Sequence, residues 1–186
     1  MAVEIAKRTF NVAEYYRMAE AGILTEDDRV ELIDGEIVEM SPTGSRHAGC
    51  VKRLANTLVK RIGHLAVASV QDPIDLDKYS EPEPDVALLR PREDFYSNGH
   101  PTPRDVLLII EVADSSEGYD RDVKMPLYAR ASIPETWLAS LLTNVIHQYA
   151  QPVAGRYQMH NEFKRGESIT SIALPELTLT VDEILG

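Results

Sequence analysis

The order of apolar and polar positions divides the chain into helical and extended segments. In "FNVAEYYRMAEAGIL" Asn11 stands three residues before Glu14, close to a capping box, and Gly22 is placed to stop the segment, so a helix is expected over about 11–21. "VELIDGEIVEM" sets Asp34-Gly35 between two β-prone runs, the signal of a two-residue hairpin turn. "SPTGSRH" then supplies a turn and a cap at Ser45. After it His47, Val51, Leu54, Ala55, Leu58, Ile62 and Leu65 recur at helical spacing, which predicts a helix with one apolar stripe.

The middle of the chain reads as strands. "AVASVQDPIDL" predicts a strand that breaks near Pro73, and "PDVALLR" a second one behind a proline-bounded start. The unbroken apolar run from Val106 to Ile110 predicts a strand covered on both faces. In "YDRDVKMPLYARASI" Val123, Leu127 and Ala131 keep helical spacing, and Pro126 is tolerable only in a first turn, so this helix is expected to start close to Asp120. "ETWLASLL" predicts another buried strand, "NVIHQYAQPVAGRYQ" a hairpin, and "SIALPELTLTV" a closing pair of short strands. This order specifies an α/β fold, a mixed β-sheet flanked by helices. The 186 residues fit a single domain, 1–186, with an N-terminal helix and hairpin in 1–44, a core in 45–142 and C-terminal strands in 143–186.

Composition narrows the classes. Hydrophobic content of 44% with 26% charged residues is ordinary for a globular chain, and no apolar run reaches the length that spans a bilayer, so no membrane association is expected. The N-terminus lacks the long apolar segment of a secretory signal and Cys50 is the one cysteine, so a cytoplasmic, reducing setting is expected. A formal charge of −11 argues against a surface built for indiscriminate nucleic-acid binding. Between Ser45 and Leu65, however, Arg46, Lys52, Arg53, Lys60 and Arg61 stand without an acid. A solvated helix face and a phosphate-facing surface both fit that run.

Two acids occupy costly places. Asp85 begins the run "DVALLR" and Glu111 ends five consecutive apolar residues, yet an ionised carboxylate leaves water at a cost of several kcal/mol unless a cation or hydrogen bonds replace it. If their strands are neighbours, the two converge at one end of the sheet, where a divalent metal would keep both ionised. Mg²⁺ suits such a place, because it prefers hard oxygen ligands and commonly uses one or two carboxylates. Salt-bridged or solvent-edge acids satisfy the same spacing. Lys124, four residues after Asp120, fits either a helical ion pair or an ammonium turned toward a scissile phosphate, with Arg121 beside it as a further candidate. His47 lies on the apolar stripe of its helix, as a boundary histidine or a site residue. His64, His100, His147 and His160 show no zinc-ligand spacing, Cys50 reads as a small core residue, and the GxSxG, Walker and GxGxxG motifs are absent.

The segments "RVELIDGEIVEMSPTGSRHAGCV", "PEPDVALLR", "LLIIEVADSS" and "YDRDVKMPLYARASIPETW" together resemble the Uma-two family of restriction endonucleases, within the PD-(D/E)XK nuclease superfamily, over about Phe10 to Leu185. The resemblance implies a restriction-endonuclease-like core and Mg²⁺-dependent hydrolysis of DNA, with Mn²⁺ as a substitute. Asp85 is similar to the superfamily's motif aspartate and Glu111 to its second acid, both as metal ligands. The superfamily lysine stands two residues beyond that acid, where this chain has Ala113; the family's alternative, a lysine from the next helix, corresponds to Lys124. His47 and Glu31 match recurrent family positions without a fixed role, and Ser140 replaces an acid of the family pattern. No target-recognition domain is evident, so specificity would be weak or would come from a partner chain or a homodimer. A non-catalytic binding or scaffold protein with a nuclease fold, and a phosphodiesterase acting on RNA, are the alternatives.

Overall fold

The computed structural model describes residues 7–25 and 27–186. Its contacts form two compact units: the first runs to Pro42 and takes in Asp75–Pro82, and the second comprises Thr43–Ile74 and Glu83–Gly186. The segment Asp75–Pro82 joins the first unit through backbone pairing, with Val12 N–H donating to Lys78, Gly35 N–H to Tyr79 and Glu81 N–H to Leu32. Nothing local in the sequence announces that pairing.

In the first unit α1 (Val12–Glu20) carries the expected capping box, Asn11 and Glu14 each accepting from the other's backbone N–H. The antiparallel pair β1 (Val30–Ile33) and β2 (Glu36–Glu39) closes with Ile33 opposite Glu36. Its turn residues Asp34 and Gly35 have φ of 49° and 80°, the left-handed pair of a type I′ turn. Gly35 is required twice over, since a Cβ there would lie 2.5 Å from the Thr9 Cβ. Glu31 is buried in β1, and Tyr16 donates to Glu81 at 2.7 Å.

The second unit is built on a six-stranded sheet: β3 (Val67–Ser69), β4 (Val86–Leu89), β5 (Val106–Ala113), β6 (Glu135–Ser140), β7 (Val145–Val153) and β8 (Arg156–Lys164), in that spatial order. Only β5 and β6 run parallel, so the sheet is mixed as expected. All eight residues of β5 are buried, in keeping with its unbroken apolar run. On one face α2 (Ser45–Ile62) inserts Cys50, Val51, Leu54, Leu58 and Ile62 against Val86, Leu88, Leu108, Ile110, Val112 and Trp137. Each fully buried aliphatic side chain there contributes about 1.5–3 kcal/mol. Ser45 is the first helical residue and not the cap; Gly44, with extended backbone, takes that place without a side-chain bond.

The β5-to-β6 crossover departs from the expected single helix near Asp120. It starts earlier, with the short α3 (Glu117–Tyr119), widens into a π-helical turn over Asp120–Lys124, and continues as α4 (Met125–Arg130) with Pro126 in its first turn. The proline cannot donate into a regular ladder, and the π turn precedes it. The closing strands are β9 (Ser168–Thr170) and β10 (Thr178–Thr180), with most of "SIALPELTLTV" forming the link between them. The last turn, α5 (Val181–Leu185), was not expected, although Thr180 and Glu183 spell its capping box. Among the described residues no helix is long and apolar enough to cross a membrane.

Candidate active site

Strand register brings the two costly acids together. Val86 pairs with Ile110 across antiparallel β4 and β5, so the next position outward sets Asp85 beside Glu111. With a side-chain period of two, both point away from the face that α2 covers, because Val86, Ile110 and Val112 belong to that core. Asp85 N–H donates to Glu111 Oε2 at 3.3 Å, and Val112 N–H donates to Asp85 Oδ2 at 2.9 Å. Exposure is 8% for Asp85 and 3% for Glu111.

The crossover covers this face. Lys124, itself 6% exposed, places Nζ 3.3 Å from Glu111 Oε1, and one helical turn later Tyr128 donates its hydroxyl to the same oxygen at 2.6 Å. Asp120, on the same π turn, is buried and accepts from Ser116 Oγ at 2.6 Å. From the other side His47 Nε2 lies 2.8 Å from Asp85 Oδ1, and Gln71 Nε2 donates to that oxygen at 3.2 Å. The structure thus gathers Asp85, Glu111, Lys124 and His47. Arg121 is exposed and forks onto Asp122, and Glu31 lies in the first unit. Gln71 and Asp120 were not singled out from sequence; Tyr128 could have been, standing four residues after Lys124 on one helical face.

The arginines of the basic run are largely spoken for. Arg46 bonds Asp114 and the Leu141 carbonyl, Arg53 the Leu185 carbonyl, and Arg61 pairs with Glu183. Lys52 and Lys60 stay exposed, so α2 presents a partly self-neutralised face. Ser140, where the family pattern has an acid, donates to Glu117 and accepts from Thr143 N–H at the end of β6.

The donor chemistry suits a hard cation. Asp85 Oδ2 and Glu111 Oε2 each accept one backbone N–H, which leaves each a second lone pair. Buried acids Asp85, Glu111 and Asp120 outnumber the Lys124 ammonium, an excess that a divalent ion offsets. Without one, burial raises the Glu111 carboxyl to about 8, Asp85 and Asp120 pushing the same way against Lys124 and Tyr128. The hydrogen bond to Asp85 raises His47 above its ordinary 6.5.

Both shifts have one sign for stability. A carboxyl raised on folding holds a proton that the unfolded chain has lost, so its contribution is whole below 4.5 and disappears as pH climbs to about 8, while the contribution of His47 is lost from 6.5 upward. The melting temperature of metal-stripped protein is therefore expected to fall as pH rises from 4.5 to about 8, and Glu111→Gln to flatten that fall. Scanning calorimetry in chelator checks this, and equal slopes for parent and variant contradict it.

Comparison with known proteins bears on the fold and the family. A solved structure of a "putative nuclease belonging to DUF820" from Anabaena variabilis matches with a TM-score of 0.70 at 16% identity, covering 90% of this chain and 96% of that one, a likeness of fold. No curated protein matches the sequence. The model of the Uma2 family, described as "Putative restriction endonuclease", matches residues 12–182, and the chain belongs to that family.

Proposed function

We propose that this protein is a nuclease that hydrolyses DNA phosphodiester bonds with Mg²⁺, which Mn²⁺ can replace, held by Asp85 and Glu111. The observation that carries this reading is the meeting, on one sheet face, of two buried carboxylates from adjacent strands and a buried ammonium from the crossover. When bound, the ion supplies Lewis acidity toward a phosphoryl oxygen and lowers the pKa of water.

The chain's own groups do the rest. Lys124 offers a compact positive charge to the negative charge that builds on phosphate during attack, and its burial strengthens that interaction. His47 and Val112 N–H fix the Asp85 carboxylate by its two oxygens, and Tyr128 fixes Glu111, so His47 and Tyr128 are positioning residues. Lys124 takes the place of the superfamily lysine missing at Ala113, reaching Glu111 from the helical side of the sheet. We place the activity in the cytoplasm, and cleavage of both strands in a homodimer with two sites.

The test is cleavage of supercoiled plasmid, linear duplex and RNA of matched length by tag-free protein with Mg²⁺, Mn²⁺ or chelator. Nicking or linearisation of DNA that needs the ion is expected. Preference for RNA replaces the substrate assignment, and a chain that neither cuts nor binds Mg²⁺ at millimolar concentration is a nuclease-fold scaffold, the reading that the −11 charge favours.

A further inference from the structure

The β7–β8 hairpin carries a second group of side chains with the donor atoms to hold a metal ion. Antiparallel register pairs His147 with Glu162 and Tyr149 with His160, and the period of two puts all four on one face. His147 Nδ1 lies 3.1 Å from His160 Nε2 and 3.6 Å from Glu162 Oε1. The three ligand atoms all fall within 4.8 Å of one another. Two nitrogens bound tetrahedrally to zinc at about 2.0–2.1 Å stand roughly 3.3 Å apart, so the rings already hold nearly the spacing that a metal requires. His160 is fixed in this pose by stacking on Tyr149, with ring centroids 4.5 Å apart and planes 3° from parallel.

The sequence shows no zinc spacing at these positions because their proximity comes from strand pairing, thirteen residues apart along the chain. Two imidazoles and one carboxylate also differ in kind from the all-oxygen pair Asp85 and Glu111. Such a set suits borderline transition metals better than Mg²⁺. The two sites share a face: Glu111 pairs with Leu138, Leu138 with His147, and His147 with Glu162, in one row across the sheet. At about 4.8 Å per strand, β7 stands roughly 10 Å from β5. That separation exceeds the roughly 4 Å of a shared two-metal centre, so an ion on the hairpin is a separate one.

We propose that His147, His160 and Glu162 bind a zinc-class transition-metal ion that clasps the edge hairpin β7–β8. With the ion bound, each ligating nitrogen would present its lone pair and carry its proton on the opposite ring nitrogen, the coordination replacing the hydrogen bond that now joins His147 Nδ1 and His160 Nε2. Three protein ligands leave a further position for water, reachable because His160 and Glu162 are exposed.

The test uses full-length, tag-free, metal-stripped protein carrying Asp85→Asn, so that the acid pair does not contribute. It is titrated with Co²⁺ and followed by visible absorption. One equivalent with the intense bands of four- or five-coordination, displaced by Zn²⁺, is expected. His160→Ala and Glu162→Gln, both at exposed positions, are each expected to weaken Co²⁺ binding by about tenfold or more. Absence of the bands at micromolar Co²⁺, or an unchanged titration in both variants, overturns the proposal and leaves a cross-strand histidine pair. Because the readout is binding to a chain already disabled at Asp85, its failure is distinct from failure of the nuclease reading.

Discussion

Asp85→Asn is expected to lower the rate of DNA cleavage about a thousandfold or more while leaving the metal-free protein folded. The amide keeps one oxygen, which can accept from Val112 N–H or from the His47 and Gln71 side but not from both, so part of the carboxylate's bonding survives. It removes one of the buried negative charges that crowd Glu111, which favours the metal-free state. What it takes away is the charged ligand, so affinity for Mg²⁺ should fall with the rate. Lys124→Met separates the roles: it should cut the rate by about a hundredfold or more and leave Mg²⁺ affinity no weaker, because the ammonium competes with the ion for Glu111. Lys124→Arg should restore little, since a planar fork does not replace a point charge in a site shaped for lysine. Calorimetric titration beside initial rates checks both variants. Cleavage unaffected by Asp85→Asn and Lys124→Met would exclude this cluster.

The second large effect concerns stability. Glu135 is fully buried at the start of β6, and its carboxylate accepts from Trp137 Nε1, Gln148 Nε2, Ser171 Oγ and the N–H groups of Ile172 and Ala173, at 2.6 to 3.0 Å. One side chain thereby ties the sheet to the segment between β9 and β10. Glu135→Ala strands several buried donors at once, and removal of one partner from such a network costs about 3–5 kcal/mol. For a chain of this size that corresponds to a melting temperature lower by roughly 10 °C. Glu135→Gln should fall between, because one arm of the amide cannot accept. Denaturant unfolding measures both, and a cost below about 1 kcal/mol for the alanine contradicts the anchoring role.

Local signals made much of the fold legible in the sequence. Asp34-Gly35 specified its hairpin because φ above zero at both turn positions is hard for other pairs, and β5 announced itself by apolar residues on both faces. The acids Asp85 and Glu111 were legible as anomalies, since a carboxylate inside an apolar run asks for compensation. What escaped was set by tertiary pairing. Gln71 reaches Asp85 from a residue with φ of 55°, and no pattern in "SVQDP" marks it. Asp120 read as one half of a helical ion pair; that it also lies close enough to act on Glu111, from a π turn, is a tertiary fact that i+4 spacing does not carry. His147 and His160 meet only through the register of β7 and β8. The closing strands were misplaced because "SIALPEL" alternates well enough for a strand, yet its residues Ser171–Ala173 serve the Glu135 carboxylate. Glu31 stood out by resemblance alone, and the structure places it in β1 of the first unit.

The most direct test of the central claim is an anomalous-difference map from crystals soaked in Mn²⁺. A peak bonded to carboxylate oxygens of both Asp85 and Glu111, on the sheet face that the Lys124 turn covers, is expected, and no such peak in Asp85→Asn crystals. A map at saturating Mn²⁺ with nothing between those two side chains contradicts it.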